Sequence, residues 1–426
     1  MQVEQLPLNS IKPYEQNPRE NDDAVAFVAE SISRYGFRQP IVVDEQMVII
    51  VGHTRLKAAE KLGLATVPVH IARDLSPELA KAYRIADNRS HELADWDDAK
   101  LLAELQNLMD LEIDIADVGF SPEEFQRLTA ANTDLSDVED VPVPEPPDEA
   151  ITRRGDIWIL GDNRLLCGDS GSEADLDRLL DGAKIHLVNT DPPYNVKVEP
   201  RSNNARALAE THHQRFDNAR SGTPAPTDAK LRAKDRPLEN DFVSDEEFER
   251  LLMAWFGNIA RVLEPGRGFY IWGGYANCGN YPPALKACKL YFSQAIIWVK
   301  EHPVLTRKDY MGNHEWCFYG WREGAAHVFY GPNNATDVWS IKKVNPQSMV
   351  HLTEKPVALA ERAILFSSLE GENVLELFGG SGSTLVACER TKRRCYAMEI
   401  DELYCDVIVK RWEELTGRKA ERLVRP

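Results

Sequence analysis

The chain has 426 residues, 43% hydrophobic and 28% charged, a balance normal for a soluble protein and more length than one core fills, so two or three domains are expected. No run of about 18 apolar residues is present to span a bilayer. The opening MQVEQLPLNSIKPYEQNPRE lacks the basic start and apolar segment of a signal peptide, so a cytoplasmic protein with no membrane partner is expected.

The formal charge of −18 is uneven: residues 1–150 carry 30 acids and 13 bases, residues 151–426 carry 38 and 37. The basic footprint of a nucleic-acid binder is missing from the whole, yet the second part is nearly neutral and does not exclude one. The seven cysteines, at 167, 278, 288, 317, 388, 395 and 405, are odd in number and never spaced Cys-x-x-Cys. They fit neither a disulfide framework nor a zinc site, and reduced, mostly buried thiols are expected.

In chain order, PIVVD and MVIIVG read as short strands about a turn, followed by HTRLKAAEKLG with helical spacing and Gly63 at its end. The amides near Gly52 and Thr54 suit an anion, with Arg55 assisting; an ordinary Thr-capped helix start is the plainer alternative. Further helices follow, and SPEEFQRLTA carries Ser121 as cap, Pro122 in the first turn and Glu124 closing a capping box. The stretch NTDLSDVEDVPVPEPPDE is rich in proline and acid and has no base and no period. It reads as a linker over 132–150 between domains at 1–131 and 151–426.

Beyond it, DIWILG and RLLCGD read as paired strands, IHLVNT as a buried parallel strand, and DEEFERLLMAWFGNIARVL as an amphipathic helix leading into the strand GFYIWG. This alternation predicts a doubly wound α/β sheet. Residues 197–236 form an irregular insertion with nine Lys or Arg against five acids. Arg201, Arg206, Arg215, Lys230, Arg232 and Lys234 are its candidate phosphate contacts, in a loop that orders on DNA or is simply solvated. His212 and His213 lack partners of ligand spacing, and no metal site is expected.

NVLELFGGSGSTLVACERTKRRCYAMEID runs strand, glycine loop, helix, strand, and Glu399 follows Gly379 by twenty residues. That is the spacing of a dinucleotide-type fingerprint whose acid meets ribose hydroxyls. There is no Gly-Lys-Ser/Thr, so the glycines make room for a different adenosine-bearing ligand than a P-loop phosphate.

The stretch NTDPPYNV ends the strand IHLVNT with an acid, two prolines and an aromatic. The exocyclic amine of a nucleobase is a poor nucleophile because its lone pair is conjugated with the ring. The Asp191 carboxylate and the Pro192 carbonyl, both accepting hydrogen bonds from that amine, would aim the lone pair at a methyl donor. Pro192 and Pro193 stiffen the backbone, and Tyr194 offers a face for a base flipped out of the duplex. A strand-ending turn explains this stretch alone equally well. The glycine loop favours the catalytic reading, because in an open α/β sheet ligands collect where both motifs would emerge.

On these motifs, residues 153–415 resemble the DNA amino-methyltransferases of the β order, in which the catalytic motif precedes the cofactor motif. The resemblance implies a Rossmann-like fold and methyl transfer from S-adenosylmethionine to an amine in double-stranded DNA, of the kind found in restriction and modification. Through GDIWILGDNRLLCGDS it implies Asp169 at the cofactor adenine. FGGSGST implies Phe378, Gly379, Gly380, Gly382, Ser383 (where the family often has Thr) and Thr384 around the methionine and ribose, with Glu399 on the ribose diol. HLTEKPVALAERAI implies a cofactor role for Lys355 and Pro356. Glu376-Leu377 stands where the family commonly has Asp-Pro. The Asp form of the catalytic motif leans to adenine N6 in the family, with cytosine N4 the alternative. The C5 chemistry of cytosine needs a nucleophilic cysteine, which in the family that performs it is preceded by proline, and none of the seven is. Residues 325–350 are, by position in the family, a candidate for base recognition, though their aromatics suit a core as well.

Residues 3–110 resemble the ParB N-terminal and sulfiredoxin-like domain through SIKPYEQNPRE, GFRQPIVVD, GHTRLKAA and YRIADNRS. The likeness implies a smaller α+β domain with Gly52, His53, Thr54 and Arg55 as nucleotide-phosphate candidates. Sulfiredoxin chemistry fails because the first cysteine is Cys167. A homodimer is a further expectation. A partition-type nucleotide-gated binding protein with an inactive methyltransferase domain is the alternative from another class.

Overall fold

The computed structural model describes residues 2–135, 141–195, 243–304, 309–342 and 354–423. It divides into two compact units, Met1–Phe125 and Gln126–Pro426.

The first unit holds β1 (Glu4–Pro7), β2 (Ile41–Val43), β3 (Ile49–Val51) and β4 (Thr66–Ile71) in the order β1-β4-β2-β3. β2 runs parallel to β4, and the other two pairs are antiparallel. One face of this sheet buries Ile41, Val43, Ile49, Val67 and Val69 against Leu56 and Ala59 of α2 (His53–Lys61). The other helices are α1 (Asp22–Tyr35), α3 (Pro77–Glu92), α4 (Asp98–Asp110) and α5 (Pro122–Asn132), which begins here and ends in the second unit. The capping box of α5 is present: Ser121 N donates to Glu124 Oε2 at 2.8 Å, and Glu124 N donates to Ser121 Oγ at 3.1 Å.

The Thr-capped start of α2 is corrected. Gly52 is the N-cap, at φ 110°, a conformation an L side chain resists. Thr54 lies inside the first turn, where its hydroxyl accepts from Asn21 Nδ2 at 3.0 Å.

The second unit is built on one ten-stranded sheet in the order β11-β9-β10-β8-β7-β12-β13-β6-β5-β14. Its strands are β5 (Ile157–Leu160), β6 (Asn163–Cys167), β7 (Ile185–Thr190), β8 (Leu263–Gly273), β9 (Leu290–Val304), β10 (Gly312–Arg322), β11 (Val338–Ser340), β12 (Asn373–Glu376), β13 (Arg394–Glu399) and β14 (Glu421–Leu423). The centre, β8-β7-β12-β13-β6, is parallel throughout, and β5 returns antiparallel on β6.

Alternation along each strand sends side chains to two cores. Leu187, Tyr270, Trp272 and Val374 pack with α9 (Val357–Ser367), α10 (Ser383–Arg390) and α11 (Glu402–Thr416). Val188, Phe269, Ile271 and Leu375 pack with α6 (Glu173–Leu180), α7 (Asp245–Val262) and α8 (Tyr281–Ala287). Helices therefore cover both faces, the doubly wound arrangement expected of the alternating pattern.

Residues 141–149 are without helix or strand. They are nevertheless fastened within the second unit: Val141 packs against its core, and Arg411 donates to the Val141 carbonyl at 2.6 Å. Five cysteines are buried and all seven are free thiols. Among the described residues no helix is long and apolar enough to cross a membrane.

Candidate active site

β7 and β12 lie side by side and parallel, with Leu187 paired to Val374 and Val188 to Leu375. Their carboxyl ends therefore release Asp191-Pro192-Pro193-Tyr194 and the glycine bend from neighbouring strands on one edge. Hydrogen bonds join the two exits. Thr190 Oγ1 donates to Glu376 Oε1 at 2.7 Å and accepts from Leu377 N at 3.1 Å. Asn189 Nδ2 donates to Thr384 Oγ1 at 2.9 Å, and that hydroxyl donates to Glu376 Oε2 at 2.8 Å. Burial pushes Glu376 up to about 8 in spite of these donors and Phe378 N, so it is mainly a neutral carboxyl at pH 7.

At the first exit, the Tyr194 hydroxyl donates to Asp191 Oδ1 at 2.8 Å. Asn277 fixes the turn by donating from Nδ2 to the Tyr194 carbonyl at 2.7 Å and the Asn195 carbonyl at 3.2 Å. Gly274 lies against the Tyr194 ring, where an added Cβ would come within 3.0 Å of Cδ2. Asp191 is also ion-paired to Lys355, whose ammonium donates to the Tyr194 hydroxyl at 2.8 Å and stands 3.4 Å from Glu315 Oε2. Glu315 on β10 is in turn paired with Lys300 on β9. Two ammoniums thus face two carboxylates around Tyr194, with the Trp272 ring 5.5 Å from the Lys355 nitrogen.

Burial raises Asp191 above the ordinary carboxylate value although Lys355 opposes it. Burial would also raise Glu315, yet Lys355 and Lys300 together outweigh it and hold that carboxyl at about 2. For Lys355, burial is outweighed by Asp191 and Glu315, which keep it protonated.

At the second exit, Gly379, Gly380 and Gly382 form the bend, the latter two at φ 53° and 86°. Gly379 sits tight against α11: an added Cβ would lie 2.8 Å from Ile408 Cδ1 and 3.3 Å from the Met398 carbonyl. Glu399, at the end of β13, accepts from Gly380 N at 2.7 Å and Asp401 N at 2.9 Å. Burial lifts its carboxyl to about 7 against those two donors. The Asp169 carboxylate is exposed and accepts from Gly171 N at 2.8 Å, and Gly168 N donates to the Glu399 carbonyl at 3.0 Å, which brings this loop to the same edge. Phe378 packs edge-on to Trp255 with centroids 4.9 Å apart.

Lys355 touches both exits, and Pro356 beside it is the buried N-cap of α9. Ser383 Oγ donates to the Lys355 carbonyl at 2.8 Å, so the backbone of Lys355 touches the glycine bend while its side chain serves Asp191. Sequence reasoning gave Lys355 a place with the cofactor only, and it missed Lys300, Glu315 and Asn277. The one signal was a charged residue in the otherwise apolar runs AIIWVK and HEWCFYG, since a charge in a buried strand needs a partner.

The aromatics of 325–342 are largely core: Tyr330 and Trp339 are buried, and His327 stacks on Trp321 at 4.0 Å. The rest of the candidate recognition region, 343–350, lies outside the described residues, as do Arg201, Arg206, Arg215, Lys230, Arg232, Lys234, His212 and His213.

In the first unit, the start of α2 opens on a cavity of about 650 Å³ lined by Gly52, His53, Thr54, Arg55, Arg19 and Arg38 among others. His53 Nε2 accepts from Tyr14 N at 3.2 Å, and burial, then Arg84 and Lys57, lower its basicity and keep the ring neutral. All four anion candidates line this cavity.

The family model described as DNA methylase matches residues 185–410, which spans the catalytic exit, the glycine bend and Glu399. This chain belongs to the DNA methylase family. A model of the ParB N-terminal domain matches residues 1–89, and one of the ParB-methyltransferase HTH domain matches 99–154, a module that sequence reasoning did not recognise. The type II methyltransferase M.HpaI of Haemophilus parainfluenzae is 24% identical over 271 residues, covering 59% of this chain and 74% of that one. M2.DpnII of Streptococcus pneumoniae is 28% identical over 189 residues, covering 41% and 69%. The crystal structure of the M1.HpyAVI–SAM complex aligns at 20% identity with a TM-score of 0.42, over 58% of this chain and 97% of that one.

The methylase is S-adenosylmethionine-dependent, and its second exit fits that group. Three of the four residues Gly379 to Gly382 carry no side chain, which leaves backbone open to a ligand, and Glu399 and Asp169 supply carboxyl acceptors for hydroxyl and amine hydrogens.

Proposed function

We propose that the chain methylates the exocyclic N6 amine of adenine in duplex DNA, on a base flipped into the corner formed by Asp191, Pro192, Pro193 and Tyr194. The observation that carries this reading is the fastening of that corner to the glycine bend through Thr190, Glu376, Asn189 and Thr384. Asp169, Phe378, Gly379, Gly380, Gly382, Ser383, Thr384 and Glu399 would hold S-adenosylmethionine, which supplies an electrophilic methyl group. Lys355 and Pro356 would lie beside the cofactor, Lys355 through its contacts with both exits.

The residues then do the following. Asp191 takes one amine hydrogen. The Pro192 carbonyl takes the second. With both N–H bonds directed away, the nitrogen lone pair faces the glycine bend. Tyr194, whose hydroxyl burial keeps protonated, holds Asp191 from the side and offers its ring to the base. Transfer would form the N–C bond as the methyl–sulfonium bond breaks with its electron pair left on sulfur, and Asp191, raised by burial, would receive the proton that the nitrogen sheds. Adenine is preferred to cytosine N4 on the Asp-Pro-Pro-Tyr form of the motif. Digestion of DNA methylated by the purified chain, followed by mass spectrometry of the nucleosides, tests this: N6-methyladenine supports it, and N4-methylcytosine replaces it with the sister chemistry.

A second reading concerns the first unit, where a cavity of about 650 Å³ carries three arginines and a glycine-capped helix start. We infer that it takes a nucleotide, with Gly52, His53, Thr54 and Arg55 on the phosphates. Calorimetry with nucleoside triphosphates on wild type and Arg55→Ala checks it, and equal heats for both would remove it.

A further inference from the structure

Asp191 is not free in this structure. Its carboxylate carries the Lys355 ammonium and the Tyr194 hydroxyl, in a corner where the side chains of Lys355 and Asp191 are 11% and 20% exposed. An ammonium held that closely draws charge from the carboxylate and stands where an incoming amine would donate. For the proposed reaction, Lys355 has to leave Asp191, and its buried ammonium then needs another counter-ion, since a buried charge without one is costly.

The other side of Lys355 supplies a destination. Glu315 Oε2 is 3.4 Å from the Lys355 nitrogen, and a small swing of the flexible side chain reaches the ordinary ion-pair contact of about 2.8 Å. Glu315 is held in place by Lys300, itself 8% exposed, whose nitrogen lies 5.0 Å over the Trp298 ring. Glu315 is the carboxylate that stays ionised, so the destination keeps its charge whatever happens at Asp191.

We propose that Glu315, clamped by Lys300, is a second berth for Lys355, to which the ammonium moves when the target amine reaches Asp191. Glu315 and Lys300 are then positioning residues that act through Lys355. Net charge is conserved in the move: two ammoniums and two carboxylates remain, and only the pairing changes. This inference rests on Asp191 as the amine acceptor.

The test is a double-mutant cycle on the full chain, read as single-turnover transfer of labelled methyl to unmethylated genomic DNA, with cofactor and DNA affinities measured alongside and thermal unfolding as a folding control. Glu315→Gln is expected to slow transfer about tenfold, while both affinities stay within about twofold, because Lys355 is left on Asp191. In a Lys355→Met background the same substitution is expected to change the rate by less than about twofold. If Lys355→Met is too slow to measure, Lys300→Met replaces it, and the pair Glu315→Gln with Lys300→Met is expected to be no slower than Glu315→Gln alone. A full loss from Glu315→Gln in either background, or affinities falling in step with the rate, overturns the berth and leaves a structural ion cluster. Asp191→Asn separates the two readings: if it transfers methyl at the wild-type rate, the acceptor assignment fails first. If it is slow but the cycle is additive, only the berth fails.

Discussion

Thr190, the last residue of β7, donates its hydroxyl to Glu376, the last residue of β12, at 2.7 Å. The two strands that deliver the catalytic corner and the glycine bend are thus tied at their tips as well as along their backbones.

Glu376 gives a pH prediction. Its folded value of about 8 is raised above the ordinary glutamate value of 4.5, so between these two pH values the folded chain holds a proton that the unfolded chain has released. Stability therefore falls as pH rises through that window. Glu376→Gln removes the titrating group and keeps an acceptor for Thr190 and Phe378. The variant should show a smaller decline in Tm from pH 5 to pH 8 than wild type in a thermal scan. An unchanged slope would mean that Glu376 is ionised.

Glu399 predicts the pH dependence of cofactor binding. With a carboxyl at about 7, it is mostly protonated at pH 6 and mostly ionised at pH 8, and a carboxylate is the stronger acceptor for hydroxyl groups. Affinity for S-adenosylmethionine should rise over that range. Glu399→Gln should weaken binding by about tenfold at pH 8 and remove the rise, as read by calorimetry.

The glycine bend predicts a steric effect. Gly379→Ala places its Cβ 2.8 Å from Ile408 Cδ1 and 3.3 Å from the Met398 carbonyl, and the backbone oxygen cannot give way as a side chain can. Cofactor affinity should drop and the chain should lose about 1–3 kcal/mol of stability. Retained affinity with unchanged Tm would show that the bend relaxes.

Tyr194 separates stacking from hydrogen bonding. Tyr194→Phe keeps the ring and removes the donor to Asp191, whereas Tyr194→Ala removes both. The alanine variant should cost a further ~1–3 kcal/mol in transition-state stabilisation, taken from kcat/KM on DNA. Equal losses for the two would assign the whole effect to the hydroxyl.

Much of this architecture is legible in the residues. The short, largely apolar runs IHLVNT and GFYIWG announce strands buried on both faces, and glycine followed by helical spacing and a distant acid locates the bend and Glu399. The Ser121–Glu124 capping box is equally local and is found as read. What a local pattern could not supply is pairing between distant strands. Glu315, with Lys300 behind it, reaches Lys355 of the Asp191 corner only because β10 runs antiparallel beside β8 and brings Glu315 to the edge where β7 ends. Lys355 is a similar case: its neighbours in sequence point to the glycine bend, and only the fold turns its side chain to Asp191. At α2, a helix-start pattern containing Thr54 concealed that Gly52 takes the cap position, because a cap made by backbone conformation, here φ 110°, carries no capping side chain to read.

The central claim is that the Asp191 corner acts on an amine delivered beside the glycine bend. Its most direct test is Asp191→Asn in the full chain, with cofactor binding measured by calorimetry and methyl transfer to unmethylated DNA measured on the same preparation. The account predicts cofactor affinity within about twofold of wild type and transfer reduced by about a hundredfold or more. Transfer at the wild-type rate with binding intact would contradict it.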